Sequence, residues 1–337
     1  MRSSQVTIKD IARILGISPS TVSRALKNHP DISDETKTAV NELALKLKYQ
    51  PNAVALSLKH SRSNTIGVII PEIVHYFFSS VISGIEDVAY EAGFTVIICQ
   101  SNEKYDREVA NAKMLLSHRV DGVLVSVSKE TTNFDHLTML QEGGLPLVFF
   151  DRIVPEITAD QVIIDDEEAA YKATKHLIEN GKKRIAHFAG PQNLVIGRDR
   201  KEGYLRAIRE AGLQVDPQLI IDADTYEKAL IATHHLLAMG NPPDGIFATN
   251  DLTAIGAMQA LQKKGIKIPQ EIGVVGFSDG RFSGITEPNL TSVDQHGYEM
   301  GSVATEILLN RLLSPIETYV PQTRVLSANL IVRGSSK

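Results

Sequence analysis

The sequence predicts an α/β protein: a small helical headpiece followed by two lobes built on doubly wound parallel sheets. Three observations carry that prediction. Residues 7–26 hold two short amphipathic helices separated by a Gly-containing turn. From Thr65 onward, short apolar runs alternate with amphipathic helices, the pattern of a parallel sheet covered on both faces. After Asp160 the alternation starts afresh, so the body divides into two lobes of similar size.

The headpiece begins with TIKDIARILGISPSTVSRAL, Thr7 to Leu26. Ile8, Ile11, Ala12 and Leu15 recur at helical spacing and share one face. Thr7 stands before them as an N-cap, and Asp10 can reach back to the free amides. Gly16 ends the helix, where positive φ costs glycine nothing. Ser18 caps a second helix with Pro19 at its first position. Val22, Ala25 and Leu26 can turn inward. Pro19, Ser20, Ser23 and Arg24 then share the outer face, with hydroxyls suited to phosphates and an arginine suited to guanine. On pattern alone this is a DNA-reading helix-turn-helix or a generic helical corner of a larger core.

The following segments separate those readings. Val40, Leu43, Ala44 and Leu47 form a third amphipathic helix, capped near Ser33, which closes a three-helix core. After Tyr49 and Pro51, residues 52–59 (NAVALSLK) read as a helix of about two turns, too short to persist alone in water. A polar linker, His60 to Asn64, follows. TIKDIARILGISPSTVSRALK with YQPNAVALSLK resembles the headpiece and hinge helix of the lac repressor (LacI/GalR) family. That resemblance implies a transcriptional regulator whose hinge helix enters the minor groove, with a leucine wedged between central base steps. Leu58 matches the wedge, and Asn52 matches the start of the hinge. The DNA-contacting set expected is Thr7, Ser18, Pro19, Ser20, Thr21, Ser23, Arg24 and Lys27 from the headpiece. Asn52, Ala53, Ala55, Leu58 and Lys59 complete it from the hinge.

Charge is consistent with this. Of 337 residues with formal charge −5, residues 1–60 carry nine Lys/Arg against five Asp/Glu, and the remainder nets −9. A basic end meets phosphates while the acidic body faces away from them. Cys99, the one cysteine, lies in the apolar run FTVIIC and reads as a buried, inert strand residue. MRSSQVTIKD lacks the apolar core of an export signal, and no stretch reaches membrane-spanning length, so a cytoplasmic location is expected.

In the body, strands are expected at 65–70, 94–99, 122–127, 145–150, 162–164, 184–190, 219–221, 245–249, 272–277, 291–294 and 324–329. Helices are expected at 77–92, 107–117, 169–179, 198–211, 227–237, 252–264 and 298–313. The arrangement resembles the periplasmic-binding-protein fold that the family uses for effectors. That resemblance implies three crossings between lobes, near Asp160, Gln295 and Gln322. The expected domains are the headpiece 1–50, the hinge and linker 51–64, and an effector and dimerisation domain 65–337. Its N-lobe comprises about 65–160 and 295–322, its C-lobe about 161–294 and 323–337.

Ligands of open α/β sheets collect beyond the carboxyl ends of strands. Phe77, Phe78, Asp151, Arg200, Asn250 and Asp279 fall there, with Arg152, Asp251 and Ser278 beside them. Stacking faces with carboxylates, an amide and an arginine suit a polyhydroxylated sugar or sugar phosphate. By resemblance, Asp151, Arg200 and Asn250 align with effector contacts of sugar-responsive members. Phe77 and Phe78 align with an aromatic pair that packs on the ligand in a purine-responsive one. Structural readings stand beside these. Phe77 fits core, Asp251 fits a helix N-cap, Asp151 and Arg152 fit an ion pair between lobes, and Arg200 fits a partner for a neighbouring carboxylate. Leu194 and Ile196 stand where purine-responsive members place polar groups, which argues against a nucleobase. Ser278 replaces a carboxylate common in the family, which leaves that role to Asp279.

Gly276-Phe277-Ser278-Asp279-Gly280 matches the nucleophile elbow of hydrolases, with Asp294 and His296 in chain order. The elbow requires a helix directly after the serine, and RFSGITEP has too many breakers to supply one. No glycine-rich phosphate loop or metal-ligand spacing occurs; adjacent His234 and His235 point to different faces of a helix. No cofactor and no enzyme activity are expected. A sugar-binding transport protein would explain the body but not the headpiece. The expected protein is a homodimeric repressor on a pseudo-palindromic operator in double-stranded DNA, with lobe closure controlling whether the paired hinge helices form. Leu58→Ala is then expected to weaken specific operator binding while sparing nonspecific, salt-sensitive binding. Equal losses in titrations against operator and random DNA would contradict the wedge.

Overall fold

The computed structural model of the protein describes residues 6–49, 62–314 and 319–337. The chain divides into two compact units, Met1–Ser63 and Asn64–Lys337. The first contains α1 (Ile8–Leu15), α2 (Pro19–Leu26) and α3 (Asp34–Lys46). Thr7 and Asp10 form a reciprocal capping box: Asp10 Oδ2 accepts the Thr7 N–H at 3.0 Å and Thr7 Oγ1 accepts the Asp10 N–H at 3.4 Å. Gly16 terminates α1 at φ +67°, and Ser18 caps α2 by accepting the Thr21 N–H at 3.1 Å. Ile11, Val22 and Val40, one from each helix, are fully buried against one another's neighbours. Each contributes roughly 1.5–3 kcal/mol by burial, and the side-chain caps add about 1 kcal/mol apiece.

The second unit has two six-stranded sheets. The N-lobe runs β1 (Thr65–Ile70), α4 (Tyr76–Glu91), β2 (Thr95–Gln100), α5 (Tyr105–Ser117), β3 (Gly122–Val125), α6 (Asp135–Glu142), β4 (Leu147–Phe150) and β5 (Asp160–Ile164). The C-lobe runs α7 (Asp166–Glu179), β6 (Ile185–Ala189), α8 (Val195–Glu210), β7 (Ile220–Asp222), α9 (Tyr226–Leu237), β8 (Gly245–Ala248), α10 (Asp251–Lys263), β9 (Gly273–Phe277) and β10 (Thr291–Asp294). Then α11 (Gly297–Leu313) and β11 (Thr323–Leu326) return to the N-lobe, and β12 (Asn329–Ile331) ends in the C-lobe. The sheet orders are β11-β5-β4-β3-β1-β2 and β12-β10-β9-β8-β6-β7, with only β12 antiparallel. Helix α11 lies tightly on α4: a Cβ on Gly84 would sit 2.1 Å from the Tyr298 carbonyl, and one on Gly301 2.0 Å from that of Val81.

Three expectations change. The first crossing lies at Asp165 rather than Asp160, because β5 pairs with β4 in the N-lobe sheet (Val148 opposite Asp160). Asp160 anchors the returning chain there, accepting the Tyr319 hydroxyl at 2.8 Å and the Gln322 N–H at 2.9 Å. The third crossing lies between Leu326 and Asn329 rather than at Gln322. The single strand expected at 324–329 is therefore two strands, one in each sheet. An unforeseen helix, α6, buries Leu137 and Leu140 and has no side-chain N-cap to announce it. Among the described residues no helix is long and apolar enough to cross a membrane. Cys99 is buried, its thiol pushed up to about 11 by burial, and His234 and His235 are exposed on α9.

The C-lobe core holds a histidine among apolar side chains. His187 is fully buried on β6, stacked 4.9 Å from Phe247 and 5.2 Å from Tyr204, with Nδ1 3.1 Å from the Phe247 carbonyl. Burial pushes its imidazolium down to about 4. The neutral ring is the folded form, so protonation favours the unfolded chain. The stability it carries is complete above the unfolded value of about 6.5 and is lost as pH falls toward 4. Relative to His187→Phe, wild type is expected to lose about 2 kcal/mol more between pH 7 and pH 5, measured by urea unfolding of the body followed by far-UV circular dichroism. Parallel pH profiles would refute the assignment.

Candidate DNA-contacting helix and effector cleft

In the headpiece, Ser18, Pro19, Ser20, Arg24 and Lys27 are exposed on or beside α2, Thr21 and Ser23 half-buried, and Thr7 exposed at the start of α1. Ser18 Oγ lies 2.7 Å from Ser20 Oγ and 2.8 Å from Thr21 Oγ1, so three hydroxyls gather at the N-terminus of α2. The first turn of α2 has no acidic residue, and Arg24 stands in its last. A positive helix end ringed by hydroxyls, with cations one turn on, is built for phosphate and base edges. The expected hinge contacts Asn52, Ala53, Ala55, Leu58 and Lys59 lie outside the described residues.

In the body, a cleft of about 420 Å³ opens at the carboxyl ends of both sheets. Five of the six expected effector residues line it: Phe77, Phe78, Asp151, Arg200 and Asn250. The two phenyl rings come from the first turn of α4 and meet edge to face, 5.2 Å apart; both are buried and line the cleft. Leu194 and Ile196 also line it and pack against the N-lobe cluster, while Arg200, Asp224, Thr225, Glu227 and Asn250 make much of the rest of the C-lobe side polar.

Asp279, the sixth residue, is elsewhere. After Ser278 at φ +116° and Asp279 itself at φ +47°, the chain turns its carboxylate onto Arg333, 2.5 Å from Nη1. Ser278 takes the place on the cleft wall and donates to Gln295 Oε1 at 2.8 Å. It is therefore engaged by an amide and not by a base, and a short 3-10 turn, Arg281–Gly284, follows instead of the helix a hydrolase elbow needs. Asp251 is also not the helix cap. Asn250 caps α10, accepting the Thr253 N–H at 2.9 Å, while buried Asp251 accepts from Ser292, Ser283 and the Gly280 N–H.

Arg200 sits across a narrow polar bracket. Its Nε donates to Asp166 Oδ1 at 2.7 Å and its Nη1 to the Thr249 carbonyl at 2.8 Å, and its guanidinium stacks 3.8 Å over Phe277. Arg200 is 5% exposed and lines the cleft. Asp166 is the neighbouring carboxylate that Arg200 was read as neutralising; burial raises its pKa to about 6 against the pull of Arg200. Asp151, in left-handed conformation at φ +59°, is 6% exposed, and burial raises its pKa as well. Among the described residues Gln295 Nε2 at 3.5 Å and Arg152 Nε at 3.8 Å approach it, both long contacts that leave its oxygens open to a donor from a ligand. Arg152 pairs within its own lobe, donating to Glu103 Oε2 at 2.9 Å, and not across the lobes.

The ion pair that does span the lobes was missed: Lys129 Nζ to Asp224 Oδ2 at 3.1 Å, with Asn193 Nδ2 donating to the Lys129 carbonyl at 2.7 Å. Lys129 and Asp224 follow β3 and β7, so the strand-end rule applied to those strands would have found them. Gln295, in the second crossing, joins Asp151 of one lobe to Ser278 of the other.

Comparison with known proteins agrees with this geometry. Residues 7–52 match the model for bacterial regulatory proteins of the lacI family, and residues 63–331 that for periplasmic binding proteins and the sugar binding domain of the LacI family. The HTH-type transcriptional repressor PurR of Vibrio atlanticus (strain LGP32) is 36% identical over 91% of this chain and 92% of its own. The repressor CytR of Escherichia coli (strain K12) is 32% identical over 100% and 98%. Among solved structures, a complex of the transcriptional regulator CelR with cellobiose superposes with TM-score 0.75 at 30% identity, covering 98% of this chain and 100% of that one. The lac repressor dimer bound to operator and the anti-inducer ONPF superposes with TM-score 0.87 at 25% identity, covering 99% of each chain. With a DNA-binding headpiece and a two-lobed body both matched, the chain belongs to the LacI family of helix-turn-helix transcriptional repressors.

Proposed function

We propose that the protein is a homodimeric repressor of carbohydrate-utilisation genes, acting in the cytoplasm, whose operator affinity is set by a sugar or sugar phosphate held between the lobes. One observation carries the effector half of this reading: two phenyl rings, a buried carboxylate short of donors, a guanidinium and an amide line one cleft bordered by both lobes. Stacking faces with bidentate partners are what a ring of hydroxyls needs. On the DNA side, Ser18, Pro19, Ser20, Thr21, Ser23, Arg24 and Lys27 read the operator, with Thr7 beside them, and the hinge residues Asn52, Ala53, Ala55, Leu58 and Lys59 enter at its centre. A two-fold dimer matches two half-sites, and ligand closure of the lobes shifts the hinge between formed and melted states.

A thermal-shift screen of sugars, sugar phosphates and nucleobases on the full chain tests the effector, since a ligand raises the melting temperature by mass action. A nucleobase hit with no sugar hit would defeat the sugar reading. Arg200→Ala is expected to abolish the effector's influence on binding to a palindromic fragment selected from genomic DNA, while basal DNA binding persists. Because that change strands Asp166 without its partner, it should also cost the body roughly 3–5 kcal/mol. Asp166→Asn/Arg200→Ala should recover stability without recovering the response. An unchanged dose response in fluorescence anisotropy would remove Arg200 from the site.

A further inference from the structure

The cleft has three lining cations, and each already holds an anion. Lys129 Nζ is 3.1 Å from Asp224, Arg152 Nη1 2.9 Å from Glu103, and Arg200 Nε 2.7 Å from Asp166. Two of these pairs are sheltered from water: the Arg200 and Asp166 side chains are 6% and 5% exposed, those of Arg152 and Glu103 14% and 10%, while those of Lys129 and Asp224 are 34% and 9%. Asp224 has a second cation, Lys228 at 2.7 Å, which with Lys129 holds its carboxyl below the usual range despite burial. Beyond the pairs the wall carries three further carboxylates, Asp151, Glu72 and Glu227, with His75 3.1 Å from Glu72.

One feature pulls the other way. The N-cap residues of α4, α8, α9 and α10 (His75, Leu194, Thr225 and Asn250) all border the cleft, and helix N-termini attract anions. Two of these ends are answered internally, since Thr225 and Asn250 turn their side chains back onto the Lys228 and Thr253 amides. The ends of α4 and α8 are left without a side-chain cap. The two open helix ends are worth about half an elementary charge each, against three carboxylates on the wall beyond the ion pairs, Asp151, Glu72 and Glu227. The carboxylates prevail.

We infer that the cleft selects an uncharged ligand and rejects its phosphate ester, with Glu103 and Asp224 setting that choice by occupying Arg152 and Lys129. An incoming phosphate would meet cations already neutralised and carboxylates of its own sign. The protein therefore reads the pool of free ligand that a phosphorylating reaction consumes, and not the product of that reaction. This rests on the effector cleft proposed above and narrows its ligand to the unphosphorylated form.

The test uses full-length protein and matched probes: glucose with glucose 6-phosphate, ribose with ribose 5-phosphate, adenosine with its 5′-monophosphate, and inorganic phosphate alone, all at constant ionic strength in thermal-shift titrations. Every hit is expected to be the neutral member of its pair, the ester binding about 100-fold more weakly. Glu103→Gln/Asp224→Asn should narrow that gap about tenfold. Inorganic phosphate should leave wild type unmoved and stabilise the double variant, an arm that decides even where no organic probe binds. An ester that binds as tightly as its parent, or phosphate stabilisation of wild type that Lys129→Met removes, would overturn the inference. A double variant that phosphate leaves as unmoved as wild type would equally overturn the role given to Glu103 and Asp224. Adenosine binding would defeat the sugar reading while the charge rule stood, so the two failures are distinguishable.

Discussion

Each lobe completes its sheet with a strand from the far end of the chain, and that exchange is the constraint on which the body depends. β5 and β11 lie side by side in one sheet, with Ile164 opposite Leu326, and β10 and β12 lie side by side in the other, with Asp294 opposite Asn329. The three connecting segments consequently run next to one another, and His296 and Asn329 touch across two of them at 2.9 Å. Two rigid sheets joined by three short parallel links can hinge, but they cannot separate or slide freely. A cleft between them has a fixed floor and a variable mouth.

The polar groups of the cleft follow from that geometry. Gln295 sits in a link itself and is buried, so the one amide can address Asp151 on the N-lobe and Ser278 on the C-lobe at once. At the mouth, the lobes are held by contacts that can break: Lys129 to Asp224, and Asn193 to the Lys129 carbonyl. The Lys129 side chain is about one-third exposed at 34%, so this ion pair is worth far less than the buried Arg200–Asp166 bracket is costly to break. Leu194 of the C-lobe adds an apolar contact, buried in the N-lobe cluster around Val125, Val127 and Phe149.

Charge organises both units in opposite senses. The headpiece presents hydroxyls, Arg24 and Lys27 with no acid in the first turn of α2. The cleft presents cations only in the company of carboxylates. The α2 surface is thus suited to a polyanion, whereas the cleft's cations are already matched by carboxylates.

By itself the sequence determined the headpiece, the alternation of strands and helices, and five of the six residues named for the cleft. These are local matters: Thr7, Gly16 and Ser18 act within one turn of their own position, and strand ends face a cleft wherever a parallel sheet is doubly wound. Partnerships between distant residues were decided only by the tertiary structure. That β5 belongs to the N-lobe depends on Val148 opposite Asp160 and on Tyr319 reaching back 159 residues to it. That Asp279 faces Arg333, that Lys129 meets Asp224, and that Asp166 brackets Arg200 likewise depend on which surfaces the three links bring together. Periodicity reports which face of an element is apolar; it holds no record of which element lies opposite.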